Sequence, residues 1–353
     1  MSEFAENGGI SGILLAWYDE NARDLPWRVP PNTGDQADPY AVWLSEVMLQ
    51  QTTVATVKGY FKRFLAAWPK VQDLAAAKDG DVMAAWAGLG YYARARNLLK
   101  CARVVTRDHN GRFPDTVETL AKLPGIGPYT AAAIAAIAFG RPATVVDGNV
   151  QRVMARLFAH AEPLPKAKPA LTRLAQACTP QKRAGDYAQA VMDLGATVCM
   201  PRNPKCTICP VQPHCQGYAL GNPEALPAKT PKVTKPTRHG HVYLTQRSDG
   251  AWLLERRPDK GLLGGMLGWP GGEWGDDPKQ DPPLETAWNT LPDTVRHTFT
   301  HFHLILSVHI GEVDANAAPK SGSFIEASAF DPKSLPTAMR KAYDAAVSAQ
   351  VVN

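Results

Sequence analysis

Apolar residues recur at the three- and four-residue intervals of amphipathic helices throughout the first two thirds of the chain. One such series is Val47, Val54, Val57, Phe61, Phe64 and Trp68, and a second is Val150, Val153, Met154, Leu157 and Phe158. The Ala-rich stretch TAAAIAAIAFG is typical of a tightly packed, buried helix. No alternating pattern typical of a strand is convincing before Cys199. The pattern therefore predicts an all-helical region up to about residue 225.

The pattern of the chain changes after Cys215. The stretch that begins at Leu226, LPAKTPKVTKPTRHGH, contains three prolines, four Lys or Arg residues and no acidic residue, which is typical of an extended basic linker. The short runs HVYLTQR, AWLLERR and FHLILSVHI predict strands, and one helix is expected near 336–347. We predict a helical domain at residues 1–225, a linker at 226–238 and a smaller α+β domain at 239–353.

Length and composition agree with this division. The 353 residues are enough for two domains that each bury a core of their own. Charged residues make up 20% and hydrophobic residues 45%, as in ordinary globular proteins. Lys and Arg total 38 against 33 for Asp and Glu, so the formal net charge is +5. This small positive charge permits a polyanionic partner without requiring one.

The N-terminal stretch MSEFAENGGISGILLAWYDE has acidic residues on both sides of a short apolar segment and no basic leader, so it does not resemble a signal peptide. No apolar run approaches the roughly 18 residues that are needed to cross a bilayer. We therefore expect a cytoplasmic protein without membrane contact. In a reducing compartment, cysteines that lie close in sequence favour a metal site over disulfides. The isolated Cys101 and Cys178 are interpreted as buried thiols.

The densest chemical feature is the stretch CMPRNPKCTICPVQPHC, which holds four of the six cysteines. Cys199, Cys206, Cys209 and Cys215 follow the spacing C-x6-C-x2-C-x5-C. Four thiolates suit either a zinc ion or an iron–sulfur cluster, so the residues alone leave the metal open.

Three other stretches combine glycines or carboxylates with predicted helices. LPGIGPYTAAAI, from Leu123, has Gly125 and Gly127 at a turn before a helix, where free amides can hold a phosphate. VVDGNVQRVMARL places Asp147 just ahead of an amphipathic helix. WLSEVMLQQT places Glu46 in an apolar helix face, where a carboxylate is costly unless it is paired or its pKa is raised. Taken singly, each has an ordinary explanation: a helical corner, an N-cap and an exposed glutamate.

Taken in their order along the chain, these stretches and the cysteine spacing resemble the endonuclease III superfamily of DNA glycosylases. The resemblance covers the whole helical domain. It implies a helix-hairpin-helix fold in which Gly125 and Gly127 contact the DNA backbone and the four cysteines hold a structural [4Fe-4S] cluster. The expected fold class is then multi-domain, with an all-α glycosylase domain that carries a cluster loop at 199–215, followed by the α+β domain.

Two features select a branch within this superfamily. The position after the hairpin, where a Lys forms a Schiff base in members that also cut the backbone, is Tyr129, and no Lys occurs between Lys122 and Lys166. WLSEVMLQQT, the segment GLGYYARARN and a Nudix-like domain after a linker are similar to MutY-type adenine DNA glycosylases. This resemblance implies a monofunctional, monomeric enzyme, associated with the nucleoid. Its substrate would be adenine mispaired with 8-oxoguanine or guanine in double-stranded DNA, and it would hydrolyse the N-glycosidic bond.

The same resemblance implies roles for individual residues. Glu46 is the general acid that protonates the departing adenine, and Asp147 stabilises the oxocarbenium charge on the sugar. Tyr129 and Asn149 position this pair. Trp27, Arg28, Leu49 and Gln189 line the adenine pocket, whereas Gln51 and Tyr91 enter the helix on the 8-oxoguanine side.

Several positions depart from or vary the family pattern. The segment VPPNTGDQAD, residues 29–38, is longer than the usual family link, and Gln151 replaces a Lys through which some members are trapped on DNA. DKGLLGGMLGWPGGEW resembles a Nudix loop, but the acidic metal-binding helix of Nudix hydrolases is missing after it, so we expect recognition of damage rather than nucleotide hydrolysis. The loop HTFTHFHL places Phe299, Thr300 and His301 where the family contacts 8-oxoguanine, with Thr in place of the usual Ser.

Three alternatives share parts of these motifs. They are a bifunctional endonuclease III-like enzyme for oxidised pyrimidines, a non-catalytic damage sensor and a Nudix pyrophosphatase. The absence of a Lys near Tyr129 argues against the first, and the presence of both Glu46 and Asp147 argues against the second. The missing acidic helix argues against the third.

Overall fold

A computed structural model describes residues 9–230, 234–258 and 262–352 of the chain. The chain divides into two compact units, Met1–Pro231 and Lys232–Asn353. The first unit is helical, and the second contains a mixed β-sheet with one long helix. The predicted fold class, an all-α unit followed by an α+β unit, is therefore confirmed.

The described ends of the segment expected as a linker, 226–238, are part of the two folds. Leu164 N–H donates to Ala228 O (2.9 Å), and Thr230 N–H donates to Leu164 O (3.2 Å). At the other end, the first strand already begins at Thr237. Residues 231–233 lie outside the described part of the chain. The described residues thus do not form an extended tether over the whole segment, because backbone hydrogen bonds fix the start of the segment to the helical unit.

The helices of the first unit are short and connected by tight turns. In chain order they are α1 (Gly9–Asn21), α2 (Pro39–Leu49), α3 (Val54–Ala67), α4 (Val71–Ala76), α5 (Asp79–Trp86), α6 (Ala93–Asp108), α7 (Val117–Leu120), α8 (Pro128–Phe139), α9 (Gly148–Leu157), α10 (Lys168–Cys178), α11 (Ala184–Thr197) and α12 (Gln216–Ala219). Single 3-10 turns lie at Cys206–Ile208, Gln212–His214 and Pro223–Ala225.

Capping side chains set the ends of the helices near the site. The Asp38 side chain accepts a hydrogen bond from Tyr40 N–H and caps α2, whose first residue is Pro39. The Thr53 side chain accepts from Thr56 N–H and starts α3. The apolar series from Val47 to Trp68 is therefore divided between two helices, although its spacing alone indicated one continuous helical face.

Two apolar cores hold the first unit together. One contains side chains of α2, α3, α6 and α8, and the other contains side chains of α1, α9 and α11. Helix α8 is buried along almost its whole length, as its alanines predict. A Cβ on Gly185 would lie 2.5 Å from Ala136 O, so the backbones of α8 and α11 meet too closely for any side chain there.

The predicted hairpin forms between α7 and α8. Gly125 has φ +73°, and a Cβ at this position would lie 2.7 Å from Asn97 Cβ, so both the conformation and the space require glycine. Gly127 has φ −87° and is the N-cap of α8, without a side-chain cap. The conformational freedom expected at Gly127 is thus not used; what this position provides is an uncapped helix start.

The described residues of the second unit form a mixed sheet of seven strands. Its strands are β1 (Thr237–Arg247), β2 (Trp252–Arg256), β3 (Leu267–Gly268), β4 (Asn289–Thr290), β5 (Val295–Thr298), β6 (His303–Val313) and β7 (Ser323–Ile325). The central order is β3-β2-β1-β6-β4, with β5 paired to β6 and β7 to β2. Strands β1 and β6 are parallel over eleven residues, from Thr237↔His303 to Arg247↔Val313, and the other pairs are antiparallel.

Helix α13 (Thr337–Val352) covers one face of this sheet. Met339, Ala342 and Ala346 are buried against apolar side chains of β1, β2 and β6. No helix lies between β3 and β4 in the described residues, where an active Nudix hydrolase would carry its acidic helix. In the described part of the chain, no helix combines the length and apolar character needed to span a membrane.

Candidate active site

A cleft of about 550 Å³ in the first unit lies among α2, α8, α9, α11 and the segment before α2. Its volume is within the range of small-molecule sites in proteins. The predicted site residues that line it are Trp27, Arg28, Glu46, Leu49, Gln51, Tyr129, Asp147, Asn149 and Gln189. The fold therefore brings the predicted acid, the predicted carboxylate and the predicted adenine pocket to one place.

Glu46 faces this cleft from the apolar helix α2. Its side chain is buried, and its residue is only 7% exposed. The pKa of Glu46 is raised from 4.5 to about 7. Burial is the largest cause and the nearby charge of Asp147 adds to it, whereas a hydrogen bond from Tyr129 and the charge of Arg28 act in the opposite direction. The alternative of an exposed glutamate on the wet side of the helix is wrong. A large fraction of Glu46 carries a proton at neutral pH.

Tyr129 holds the carboxyl group of Glu46 in place. It lies in the first turn of α8, and its hydroxyl donates to Glu46 Oε2 at 2.8 Å and contacts Met192 Sδ at 3.7 Å. Burial and the neighbouring carboxylates raise the pKa of Tyr129 well above its ordinary value. The hydroxyl therefore stays protonated and serves as a fixed donor.

Asp147 is the N-cap of α9, as the sequence predicts. Its Oδ1 accepts from Val150 N–H at 2.7 Å, and its Oδ2 accepts from Asn149 Nδ2 at 2.9 Å. The Asn149 Oδ1 accepts in turn from Arg152 Nη2 at 2.7 Å, which orients the amide so that its N–H groups face the carboxylate. A Cβ on Gly195 would lie 2.6 Å from Asn149 Cβ, so α11 also fixes this side chain. Asp147 is thus held by donors and positioned by its own helix.

A buried ion-pair network that the sequence analysis missed adjoins the cleft. Asp193 is fully buried in α11, and its carboxylate binds Arg28 Nη1 at 2.7 Å and Arg23 Nε at 2.6 Å. Arg28 lines the cleft although residues 29–38 are longer than the usual link. Gln36 of that segment donates to Ala138 O at 3.0 Å, at the end of α8. Asp193 could have been predicted from the sequence, because it is an acidic residue in an apolar helix, as Glu46 is.

Tyr91 lies outside the residues that line the cleft. It is 59% exposed and has φ +48°, which is unusual for a residue with a side chain. Gln51, which does line the cleft, also has a positive φ of 61°. The two side chains predicted to enter DNA therefore both stand on left-handed backbone.

The loop predicted to contact 8-oxoguanine joins β5 to β6 in the second unit. Thr300 and His301 are exposed at its tip. Phe299 is only partly exposed, since its ring packs against Trp274 (6.1 Å between centroids), His297 (4.6 Å) and Phe302 (5.0 Å). The Phe299 ring is thus anchored in this structure, and the exposed polar groups of the tip are Thr300 and His301.

The four clustered cysteines surround the end of helix α9. None of them forms a disulfide. The Arg156 guanidinium, buried to 2% exposure, donates to Cys199 Sγ (3.3 Å), Met200 O (2.7 Å), Pro201 O (3.1 Å) and Leu226 O (2.9 Å). A Cβ on Gly217 would lie 2.6 Å from Arg156 O, so the loop wraps closely around this residue. Arg156 therefore organises the cysteine loop from within.

The chemistry of these donors fits an iron–sulfur cluster. Burial and the charges of the other cysteines raise the pKa of Cys209 to about 11, and the same causes raise the pKa of Cys206. Four thiolates brought together need positive charge at their centre, which iron supplies. Among the residues that the structure describes, no three His, Cys, Asp or Glu side chains meet in a group that could hold a metal ion, so the fit rests on the number and kind of the donors and not on their arrangement.

A second arginine of α9 connects this loop to the cleft. Arg152 donates to Cys199 O at 2.8 Å, to Gly195 O at 2.6 Å and to the Asn149 amide that holds Asp147. Asn149, Arg152 and Arg156 recur at three- and four-residue intervals and so lie along one side of the helix. The cysteine loop and the predicted carboxylate thus share one rigid element. The amphipathic spacing of α9 was visible in the sequence, but the partners of its arginines were not.

Comparison with protein families places both units. Residues 44–180 match the model of the HhH-GPD superfamily base excision DNA repair proteins, and residues 241–345 match a NUDIX domain model. A solved thermostable thymine-DNA glycosylase is 32% identical with a TM-score of 0.54, and the match covers 60% of this chain and 95% of that one. An endonuclease III–DNA complex, at 23% identity and a TM-score of 0.50, shares the fold. The first unit is thus a helix-hairpin-helix glycosylase fold.

Curated relatives define the family more narrowly. Human adenine DNA glycosylase is 36% identical over 97% of this chain and 74% of its own length. The mouse adenine DNA glycosylase is also 36% identical, over 97% of this chain and 78% of its own length. A bacterial relative of the same name, from Mycolicibacterium smegmatis, is 40% identical over 61% of this chain and 72% of its own length. The chain belongs to the adenine DNA glycosylase family.

Proposed function

We propose that the protein excises adenine that is mispaired with 8-oxoguanine or guanine in double-stranded DNA. The observation that carries this proposal is the buried Glu46, with a pKa of about 7, in one cleft with the capped carboxylate of Asp147. A base can reach such a cleft only after it leaves the duplex. Trp27, Leu49 and Gln189 offer an apolar floor and an amide for it. The place of action would be the DNA of the nucleoid.

In this mechanism Glu46 protonates the departing base. Adenine is a poor leaving group as an anion, so a proton on a ring nitrogen lowers the barrier to breaking the glycosidic bond. An acid with a pKa of about 7 is well matched to this task at neutral pH. The hydroxyl of Tyr129 fixes the direction of the carboxyl group and leaves its other oxygen available to the base.

Asp147 stabilises the positive charge that the sugar develops. Its two oxygens accept hydrogen bonds from Val150 N–H and Asn149 Nδ2, which hold the carboxyl group in one orientation. One protonated and one ionised carboxyl group around a breaking glycosidic bond is the arrangement used by glycoside hydrolases. A water molecule then attacks the sugar, and the product is an abasic site in an intact strand.

The cleft favours hydrolysis without strand cutting. Lyase chemistry needs an amine that forms a Schiff base with the sugar. None of the described residues that line the cleft is a lysine, and position 129 is a tyrosine. The enzyme is therefore proposed to be monofunctional, and the family resemblance implies that it acts as a monomer.

The second unit would supply specificity for the base opposite the adenine. 8-Oxoguanine differs from guanine by a C8 carbonyl and an N7 hydrogen, so discrimination requires dedicated donors and acceptors. The exposed hydroxyl of Thr300 and the imidazole of His301 are groups of this kind. The uncapped helix start at Gly127 is a suitable contact for a DNA phosphate.

Cys199, Cys206, Cys209 and Cys215 would hold a [4Fe-4S] cluster. When bound, the cluster would supply iron–thiolate bonds that fasten the loop and positive charge that partly offsets the four thiolates. Arg156 then donates to Cys199 Sγ and to the loop carbonyls, and it keeps the loop closed around α9.

Excision from a panel of duplexes tests the proposal. Strand scission after alkali is measured on duplexes that carry a single A:8-oxoguanine, A:G or A:T pair. Scission is expected for the first two and not for A:T. Equal scission of A:T and of the two mispairs, or none for any of them, would overturn the substrate assignment.

A further inference from the structure

Arg94 joins three segments beside the cleft, and no role was assigned to it from the sequence. It lies in the first turn of α6, and its guanidinium donates to acceptors of the α2 end, of the following turn and of the loop that carries Tyr91. The acceptors are Val47 O (3.0 Å), Met48 O (3.2 Å), Gln50 O, Thr52 Oγ1 (3.4 Å), Leu89 O (2.7 Å) and Gly90 O (3.2 Å). A single side chain thus satisfies carbonyls that α2 and two loops would otherwise leave open.

The positions next to these acceptors are the strained ones. Gln51 (φ 61°) lies between Gln50 and Thr52, and Tyr91 (φ 48°) follows Gly90. A left-handed backbone is unfavourable for a residue with a side chain and persists only when its surroundings impose it. The guanidinium binds the chain on both sides of Gln51 and just before Tyr91, so it imposes both conformations at once.

Two further contacts hold Arg94 itself. Its guanidinium carbon lies 5.2 Å from the centre of the Trp86 ring and 5.6 Å from that of the Tyr91 ring, within the distance of cation–π attraction. The Trp86 Nε1–H donates to Gly90 O at 3.0 Å. Helix α2 has no basic residue in its own last turn, so the charge of Arg94 also complements the negative end of the helix that carries Glu46.

We propose that Arg94 is a positioning residue that makes Gln51 and Tyr91 one rigid wedge and sets this wedge in register with Glu46. The inference rests on the proposed function, in which the two side chains enter the opened duplex. Lysine cannot replace it, because one ammonium group on a flexible stem cannot span acceptors on three segments. Replacement of Arg94 should therefore weaken the ability of the protein to hold adenine outside the duplex, and the protonation of Glu46 should be unaffected.

The test is a double-mutant cycle in the full-length protein that combines Arg94→Lys with Tyr91→Ala. On an A:8-oxoguanine duplex, we expect each single variant to lower the single-turnover excision rate about 10- to 100-fold, as for the loss of hydrogen bonds to a charged group. Because Arg94 acts through the wedge, the excision rate of the double variant should be no more than about 3-fold below that of the slower single variant. Losses that multiply, or an Arg94→Lys rate within about 2-fold of wild type, would overturn the proposal.

Two controls separate positioning from general instability. Arg103→Lys, on the same helix, also removes donors to carbonyls, those of Ala75 and Ala77, but it lies away from the cleft, and its excision rate should match that of wild type. Trp86→Phe removes the N–H to Gly90 O together with part of the buried ring that contacts Arg94, and its loss of excision rate should again be non-additive with Tyr91→Ala. If Arg103→Lys loses as much activity as Arg94→Lys, the wedge assignment is wrong.

A binding readout keeps this inference separable from the proposed function. With 2-aminopurine in place of the target adenine opposite 8-oxoguanine, fluorescence reports whether the base is unstacked in the complex. Wild type should raise the signal, and Arg94→Lys should bind with the signal lowered by about as much as Tyr91→Ala lowers it. An unchanged signal in the bound Arg94→Lys complex contradicts the inference whether or not the wild-type protein releases adenine.

Discussion

Glu46 has a pKa of about 7 because it is buried in the apolar helix α2, and this value predicts a pH dependence. The carboxyl group must carry its proton to act as an acid, so the rate of excision should fall as the pH rises through about 7. The measurement is the single-turnover excision rate at pH values from about 5.5 to about 9, an interval that covers both sides of the pKa. A rate that rises over this interval would mean that Glu46 acts as a base.

Replacement of Glu46 by Gln should leave binding to a mispaired duplex intact and abolish release of adenine, because the amide keeps the shape and loses the proton. The same replacement should raise the stability of the fold at high pH, although it abolishes activity. The raised pKa means that wild type loses about 3 kcal/mol of stability as the pH rises from about 4.5 to 7. Glu46→Gln should lack this loss, so its melting temperature should exceed that of wild type at pH 8 more than at pH 5. Equal pH dependence of both melting curves would contradict the assigned pKa.

The hydroxyl of Tyr129 opposes the rise in the pKa of Glu46, because its hydrogen bond to Oε2 favours the carboxylate. Tyr129→Phe should therefore move the fall in rate to higher pH and lower the maximal rate, since the carboxyl group loses its fixed direction. Tyr60→Phe is the matched control, because its hydroxyl donates to Ala87 O away from the cleft. A pH profile of Tyr129→Phe that overlays that of wild type would show that the hydrogen bond does not act on Glu46.

At this scale the sequence was informative where a residue conflicts with its surroundings. Glu46 stands in an apolar face, and Asp147 precedes a helix, so both could be predicted before their contacts were known. The same conflict marks Asp193, which was overlooked. Arg94 and Arg152 conflict with nothing in the sequence, because arginines at helix surfaces are ordinary. Only the fold shows which carbonyls they reach.

At the scale of the element, helix α9 connects the cysteine loop to the carboxylate. Arg156→Met should remove four donor contacts to this loop and its surroundings and so lower both iron content and stability. Two quantities are measured. One is the absorbance at about 400 nm relative to the protein concentration, which reports the amount of cluster, and the other is the melting temperature. Arg173→Met, an exposed arginine of α10, should change neither. Full iron content in Arg156→Met would remove this role from Arg156.

Helix ends were predictable where a cap is local and not where the fold decides. Asp38 and Thr53 are local caps, and the second divides an apolar series that looked continuous. Gly125 was predicted correctly as a residue that needs a left-handed backbone, whereas Gly127 does not use one. The proline and lysine content of 226–238 gives no sign of the hydrogen bonds that Leu164 makes with Ala228 and Thr230.

At the scale of the whole molecule, the second unit is expected to set preference for the opposite base. Thr300→Ala combined with His301→Ala removes two exposed polar groups and should lower the ratio of A:8-oxoguanine to A:G excision rates about 30-fold, since each hydrogen bond contributes about 1 kcal/mol. Stability should be unchanged, because both residues are exposed. Asn316→Ala, beyond the other end of β6, is the control. An unchanged ratio would exclude the loop from recognition.

Domain order and the change from helical to strand patterning were predictable from the sequence, and the family comparisons confirm the family and the fold. Phe299 shows what was not predictable. Its position in HTFTHFHL predicts a contact with 8-oxoguanine but does not show that Trp274, distant in sequence, and Phe302, near in sequence, pack against its ring. A sequence motif gives no information about tertiary packing of this kind.

The most direct test of the whole account measures released base and strand breaks in parallel. Full-length protein is incubated with a duplex that carries one A:8-oxoguanine pair, free adenine is quantified, and breaks are counted with and without alkali. The account predicts that adenine release equals the number of alkali-dependent breaks and that no breaks occur without alkali. Breaks without alkali, or breaks without free adenine, would contradict it.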